Sequence, residues 1–340
     1  MDNELLALGF TPALLETADA EGLIPGRVAA QAHGICRVLT PAGEADARSS
    51  GRLMYESAML PVVGDFVLLD SDGVIRRVLE RRSAFVRRSK GEQQVVAANI
   101  DTVFVCMGLD RDFNLRRLER YLAVAWDSGA MPAVVLTKAD VCEDAAAKRA
   151  EAEAAAPGVA VIVSPDELER LKGLITGNTV AFIGSSGIGK STLINRLADE
   201  PLLATGETRS DGKGRHTTTA RHLLPLLGGA VIDTPGMREL GIERADLTRG
   251  FADIDALAES CRFADCAHES EPGCAVRAAV ASGTLSEERL ESWRKLRKET
   301  AYAAMNWRQI EAAKIEAMLG PGGMKELRRI VKEKDMAKRR

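Results

Sequence analysis

The stretch GSSGIGKS, residues 184–191, constrains the fold more than any other, because its chemistry needs a strand before it and a helix after it. It places Gly184, Gly189, Lys190 and Ser191 in the pattern Gly-x-x-x-x-Gly-Lys-Ser/Thr. The apolar run Val180–Ile183 precedes it, and Leu193 and Leu197 follow at helical spacing. Glycines there let backbone N–H groups turn inward around phosphate oxygens, and the helix N-terminus adds partial positive charge. On this reading Gly184, Ser185, Ser186, Gly187, Ile188, Gly189, Lys190, Ser191 and Thr192 form a nucleotide-phosphate cradle. Lys190 bridges the β- and γ-phosphates, and the Ser191 hydroxyl holds Mg²⁺. A chance Gly-rich turn would not need the flanking strand and helix.

Downstream, DTPG closes the apolar run GAVI and puts Asp233 and Gly236 at a strand end. A carboxylate there binds Mg²⁺ through water, and the Gly236 N–H meets a γ-phosphate. As a bare tetrapeptide this is a common turn; after a phosphate loop it gains meaning. Between the two motifs, residues 206–222 (GETRSDGKGRHTTTARH) suit a loop ordered by γ-phosphate and Mg²⁺. One of Thr217, Thr218 or Thr219 is expected to give Mg²⁺ a second hydroxyl, with Thr217 and Thr218 favoured.

AVVLTKADV, residues 133–141, has the form of a guanine-reading strand and loop. Asp140 accepts from the guanine N1–H and exocyclic amine, a pair adenine does not offer, and the Lys138 stem covers the base. Thr137 stands where Asn is usual. VAVIVSP offers a second base-side loop at Ser164, followed by Pro165, which lacks a backbone donor. These elements precede the phosphate loop, whereas in the common order they follow it. Read from residue 101, the order is base reader, second base loop, phosphate loop, switch, D-x-x-G. That is a guanine-nucleotide domain cut after its D-x-x-G strand and rejoined end to start, a circular permutation.

The flanking regions have different textures. Residues 1–25 carry weak pattern and read as loosely held. From about 26 to 92, β-like runs (GRVAAQAHGICRVLT, GRLMYES, VVGDFVLLD, VIRRVL) lie between Gly, Ser and Asp clusters, as in a small all-β unit. An OB-like barrel fits its size and basic edge, although periodicity does not select it over other small barrels. From Asn99 onward, strands such as DTVFVCMGL and VAVIV alternate with helical segments, including one behind a possible Asn114 cap, which predicts a parallel doubly wound sheet. Beyond residue 244 the pattern is helical, with Thr284 and Glu287 placed as a capping box.

CRFADCAHESEPGC spaces Cys261, Cys266, His268 and Cys274 as C-x₄-C-x-H-x₅-C, holding three of the six cysteines and one of the four histidines. Three thiolates and an imidazole suit a closed tetrahedral Zn²⁺ site, structural because no water position stays open. The alternative is four unrelated buried side chains.

The overall charge of −3 conceals segregation. Residues 76–90 carry net +6 and residues 325–340 net +5, which leaves −14 on the rest. Such segments serve equally as RNA-phosphate contacts or as a solvated face and tail. No apolar run has membrane length, and the acidic start lacks the features of a signal peptide, so a cytoplasmic location is expected.

Together, the phosphate loop after TKAD, GRHTTT, DTPGMRELG and the Cys/His spacing resemble the ribosome small-subunit-dependent GTPase A (RsgA) family of circularly permuted GTPases, over about residues 26–320. The resemblance implies an N-terminal OB-fold with its tail (1–92, RNA-binding), a central α/β P-loop GTPase domain (93–243) and a C-terminal α-helical zinc-binding domain with a basic tail (244–340). It implies GTP/GDP, Mg²⁺ and one Zn²⁺ as ligands. It also implies binding to the small ribosomal subunit and its rRNA late in maturation, with hydrolysis stimulated by that subunit; nothing in the sequence calls for more than a monomer. Met237 follows DTPG where many GTPases carry a water-orienting Gln, so hydrolysis alone should be slow. His216 resembles the family's catalytic histidine; a loop histidine that merely packs is the plainer reading. The rival from another class is a zinc-dependent RNA-binding protein for which GTP is a structural or switch ligand.

Overall fold

The computed structural model describes residues 8–32, 34–56, 59–89, 92–203, 222–233 and 247–304. Five strands close a barrel near the N-terminus: β1 (Ile24–Ala32), β2 (Ile35–Thr40), β3 (Gly43–Ser49), β4 (Phe66–Leu69) and β5 (Val74–Val78). β1 pairs antiparallel with β2 and β4, β2 with β3, and β4 with β5, while β3 and β5 run parallel and complete the ring. Val28, Cys36, Val38, Ala47, Val67, Leu69 and Ile75 fill it.

Two local readings fail here. GRLMYES holds not a strand but the short helix α2 (Gly51–Glu56), entered through the Ser50 hydroxyl, which accepts from the Leu53 N–H at 3.1 Å. Leu53 drops into the barrel core while Met54 and Tyr55 face outward, a spacing that does not alternate. Residues 8–22 are also better held than their weak pattern suggested. The helix α1 (Pro12–Glu21) is capped by Thr11, and Phe10 is buried edge-on against Phe66, ring centroids 5.4 Å apart.

A hairpin, β6 (Ala84–Ser89) with β7 (Glu92–Ala98), leads to the central sheet. There β8 (Thr102–Gly108) lies between β9 (Met131–Thr137) and β11 (Thr179–Ile183). β10 (Ala160–Val163) extends the sheet past β9, β13 (Gly229–Asp233) past β11, and β12 (His222–Leu226) forms the outermost strand beyond β13. All these pairings are parallel except β12–β13. Ala30 of β1 pairs with His222 of β12 and joins barrel to sheet.

Alternate residues of these strands enter two separate cores, which is why the runs read as continuously apolar. Val103, Val105, Val134 and Ile183 pack with Leu118 and Leu122 of α3 (Leu115–Asp127) and Ala152 of α4 (Ala145–Ala155). Phe104, Val135, Ile162 and Phe182 pack with Leu171 of α5 (Leu168–Ile175) and Leu193 and Leu197 of α6 (Lys190–Ala198). The Asn114 side chain caps α3, accepting from the Arg117 N–H at 3.0 Å, as its sequence indicated.

The C-terminal helices are α7 (Leu247–Gly250), α8 (Ala252–Ala258), α9 (Ala275–Ala281) and α10 (Glu287–Ala304). Ser286, not Thr284, caps α10: its hydroxyl accepts from the Arg289 N–H at 3.1 Å, and Glu287 turns instead to Arg277. The helix begins two residues later than a Thr284 cap would require, and Thr284 Oγ1 lies 3.0 Å from Ser282 Oγ.

Two buried arginines fasten the units together. Arg27 of β1 is fully enclosed and donates to the Thr179 hydroxyl at the start of β11 (2.8 Å), to the Asn99 carbonyl (3.1 Å) and to the Leu8 carbonyl. Burial lowers its pKa to about 9, so it stays charged at neutral pH. Arg289 of α10 grips both carboxylate oxygens of Asp253 at 2.7 Å and reaches Glu119 of α3 at 2.8 Å. Removing one partner of such a buried ion group typically costs about 3–5 kcal/mol.

Candidate nucleotide and metal sites

The C-terminal ends of β8, β9, β10, β11 and β13 share one edge of the sheet, where open α/β folds bind ligands. The phosphate loop leaves β11 there. Gly184 has φ +145°, and a Cβ at this position would fall 2.4 Å from Ile188 Cδ1 and 2.5 Å from the Cys106 carbonyl oxygen. Only glycine fits. Gly189 enters α6 at φ +94°, which orients the first helical N–H groups toward the loop. Lys190 Nζ spans the loop, donating to the carbonyls of Gly184 (2.8 Å) and Ser185 (2.6 Å). Cys106 lies sealed beneath, its thiol pushed up to about 12 by burial.

The base-side loop meets the phosphate loop directly. Thr137 is buried at the end of β9 and donates from its hydroxyl to the Ile188 carbonyl at 2.6 Å, with the Met107 carbonyl 3.4 Å away. The threonine thus braces one loop against the other, the function expected of an asparagine at this position. Lys138 takes φ +61° and its ammonium bonds Asp110 Oδ2 at 2.6 Å. That hydrogen bond is the main reason the Asp110 carboxyl titrates below its ordinary range. Asp140 sits exposed on the short turn Ala139–Val141. Ser164 is buried in the turn that follows β10, its N–H donating to the Leu136 carbonyl of β9 at 2.8 Å. Pro165 follows through a cis peptide, and the neighbouring Val163 N–H is taken by the Glu167 carboxylate at 2.8 Å.

Asp233 ends β13, one strand away from the phosphate loop. His216, Thr217, Thr218, Thr219, Gly236 and Met237 lie outside the described residues.

Three participants escaped sequence reading. Arg117 Nη1 reaches the Ser185 hydroxyl at 2.6 Å while paired with Asp112 at 2.5 Å. Asp112 in turn donates its N–H to Asp110 Oδ1 at 3.0 Å, so a polar chain runs from Lys138 to the phosphate loop. Asp110 and Asp112 sit in the β8–α3 connection and Arg117 in the first turn of α3, and no motif marks them.

The basic segment 76–90 is more nearly neutral than its composition suggested. Arg76 pairs with Asp70 at 2.5 Å, Arg77 with Glu21, Arg81 with the buried Asp65 at 2.7 Å and Arg82 with Asp101 at 3.3 Å. Arg87, on the hairpin, bonds the neutral Gln94.

Cys261, Cys266, His268 and Cys274 converge, with one donor atom from each lying within 4.8 Å of all the others. Cys261 Sγ lies 3.9 Å from Cys274 Sγ, and His268 Nδ1 lies 3.6 and 3.4 Å from those two sulfurs. Bond lengths of about 2.3 Å to sulfur and 2.0 Å to nitrogen give tetrahedral edges of roughly 3.8 Å (S–S) and 3.5 Å (S–N). The donor set and its spacing fit zinc. His268 holds φ +60° against Trp293, ring centroids 5.3 Å apart, and its backbone carbonyl accepts from Arg294. Burial, then Arg297, lowers the imidazole pKa and favours the neutral, metal-binding form. No described helix is long and apolar enough to cross a membrane.

The model of a family described as RsgA GTPase matches residues 78–243. Small ribosomal subunit biogenesis GTPase RsgA 2 of Lactiplantibacillus plantarum is 49% identical over 349 aligned positions, covering 97% of this chain and 98% of that protein. Small ribosomal subunit biogenesis GTPase RsgA of Opitutus terrae is 48% identical, covering 84% and 86%. Among solved structures, YjeQ from Thermotoga maritima superposes with a TM-score of 0.63 at 26% identity, over 82% of this chain and 99% of that one. YloQ, a circularly permuted GTPase, gives 0.60 at 23% identity over 84% and 97%, a likeness of fold.

Proposed function

This chain belongs to the RsgA GTPase family, and from that premise we propose that it binds the small ribosomal subunit and hydrolyses GTP in response, assisting late maturation of that particle. The observation that carries the reading is the bracing of a guanine-type loop against a phosphate loop through Thr137 and Ile188, across a permuted sheet. We read the closed barrel, with its β1-β2-β3-β5-β4 order and parallel β3–β5 pair, as an OB-fold (within 1–92). The permuted GTPase domain (93–243) and the zinc-binding helical domain (244–340) follow it.

In this reading Asp140 accepts from the guanine edge, Lys138 covers the base, and the Ser164 loop closes its far side. The backbone of Gly184–Gly189 and Lys190 hold the phosphates. Ser191, Asp233 and one of Thr217 or Thr218 hold Mg²⁺, which when bound neutralises charge on the transferring phosphoryl group. Thr192 and the Gly236 N–H complete the cradle. Met237 gives an attacking water no useful partner, so His216 is assigned to orient it. The Cys261, Cys266, His268 and Cys274 set holds a structural zinc.

Steady-state GTP hydrolysis with and without small subunits tests this. A slow basal rate that rises many-fold with small subunits, and not with large subunits or tRNA, is expected. No stimulation by any ribosomal particle would favour the RNA-binding protein with GTP as a static ligand. His216→Ala should remove the stimulated rate and spare GTP affinity; an unchanged stimulated rate takes His216 out of the mechanism.

The brace predicts an asymmetry at one position. Thr137→Val, which leaves the Ile188 carbonyl without a donor, should weaken GTP and GDP binding about tenfold, since an orphaned buried acceptor costs about 1–3 kcal/mol. Thr137→Asn should bind within about twofold of the parent, as it restores a donor in place. Equal losses in both variants, by fluorescent-GDP titration, would show that the contact does not carry the affinity.

A further inference from the structure

Beside the Cys/His cluster opens a cavity of about 320 Å³, walled by Leu247, Asp255, Phe263, His268, Trp293 and Arg297. That is the low end of small-ligand sites, which run about 300–1,000 Å³, and it matches one flat ring system rather than a helix or duplex. Trp293 is buried against His268, so the metal-ligand cluster fixes the floor. Phe263, by contrast, stays 41% exposed at the mouth. Each aromatic carries a guanidinium: Arg297 lies 5.0 Å from the Trp293 ring centroid and Arg262 5.5 Å from that of Phe263.

Three acids of α10 are paired with arginines, Glu291 with Arg116 at 2.9 Å, Glu299 with Arg120 at 3.3 Å and Glu287 with Arg277 at 2.9 Å, and Asp255 is the carboxylate in the cavity wall. Arg262 and Arg297, the cations beside the cavity, are exposed and make no ion pair among the described residues. The contrast with segment 76–90, where four arginines are already matched to acids, is direct. Unmatched cationic groups flanking an exposed aromatic and a ring-sized cavity are the elements by which proteins hold unpaired nucleotides: stacking for the base, cations for the phosphates on either side. An apolar peptide side chain would gain nothing from the rim.

We propose that the cavity beside the Cys/His cluster takes one unpaired base of an RNA strand against Phe263, with the adjoining phosphates on Arg262 and Arg297. This rests on the reading above that the partner is the RNA-rich small subunit.

The test uses full-length protein, a fluorescein-labelled single-stranded RNA dodecamer without secondary structure, and anisotropy over a range of salt. Phe263→Ala should weaken binding about tenfold with the salt slope unchanged, because a stacked base is lost and no phosphate contact is. Phe263→Trp should restore it. Arg297→Ala should weaken binding and reduce the slope by about one. Zinc content and basal GTP hydrolysis should match the parent in all three, which excludes misfolding. Unaltered binding by Phe263→Ala, or duplex RNA competing as well as single strand, overturns the proposal. So does a Phe263→Ala protein that binds small subunits poorly when the free strand does not bind the parent at all, for the cavity would then serve a ribosomal protein. Subunit stimulation of the parent's GTP hydrolysis, run on the same preparation, stands or falls separately from every one of these outcomes.

Discussion

Replacing Lys190 by methionine is expected to lower kcat/KM for GTP by at least about a hundredfold, the scale on which one preorganised charged donor acts on a developing oxyanion. Methionine keeps the length and loses the charge. The structure shows why the effect should fall on nucleotide rather than on folding. Lys190 Nζ donates to the Gly184 and Ser185 carbonyls, at 2.8 and 2.6 Å, and each such bond contributes only about 1 kcal/mol net. The turn itself is held by other means: Gly184 packs against the Cys106 carbonyl, Ser185 is tied to Arg117, and Ile188 is tied to Thr137. The melting temperature should therefore drop by only a few degrees. Lys190→Arg keeps the charge but substitutes a planar fork for a compact ammonium, so affinity should recover more than turnover. Fluorescent-GDP titration, single-turnover hydrolysis and a melt on the same samples separate the effects. A Met variant that binds and turns over GTP within about threefold of the parent would mean that the backbone N–H groups alone grip the phosphates.

Those three anchor points show what a sequence can and cannot disclose here. The spacing of Gly184, Gly189, Lys190 and Ser191 was legible because phosphate geometry dictates it, whatever the rest of the chain does. So was the permutation, since motif order is a property of the chain, and the sheet bears it out with β11 between β8 and β13. Partners that come from distant segments were not legible. Thr137 stands where Asn is usual, and its hydroxyl meets a carbonyl 51 residues downstream, a contact no local pattern encodes. The pairing of the arginines of 76–90 is hidden from sequence for the same reason, because Glu21, Asp65, Asp70 and Asp101 approach only in the fold. α2 was misread because alternation over seven residues does not separate a strand from one turn and a half of helix whose Leu53 plugs a barrel. Likewise the strand order of that barrel depends on β3 meeting β5, a pairing that leaves no trace in periodicity.

One element connects the nucleotide and metal ends of the molecule. α3 carries Arg117, on the phosphate loop, and two residues later Glu119, held by Arg289 of α10. Burial raises the Glu119 carboxyl, and Ser292 and Arg289 work against that rise. The C-terminal helices therefore act as a buttress on the helix that supports the phosphate loop, and damage to them should be felt at the nucleotide.

Metal removal is the sharpest way to apply that damage. Purified protein is expected to carry one zinc per chain. Cys261→Ser, or a strong chelator, should lower the melting temperature by at least about 10 °C, since apparent zinc-binding energies of about 10–16 kcal/mol in small sites far exceed what a loop of this kind gains otherwise. In the segment 259–274 the buried residues are Cys266, His268 and Cys274; the rest is half-exposed or exposed and held by local hydrogen bonds, such as those from the Ala267, Glu269 and Ser270 N–H groups to the Glu271 carboxylate. His268 occupies a positive-φ turn that its neighbours must enforce. Once the cluster opens, Trp293 loses its packing against His268, and α10 loses one of the contacts that keep Arg289 in place. Basal GTP affinity should fall by a smaller factor than stability, because α3 remains anchored in the sheet by Leu118 and Leu122. Cobalt substituted for zinc should give the visible absorption of a tetrahedral thiolate–imidazole site. Metal-free protein that melts with the parent, or cobalt protein with an octahedral spectrum, would reduce the four side chains to a buried cluster and remove the buttress along with it.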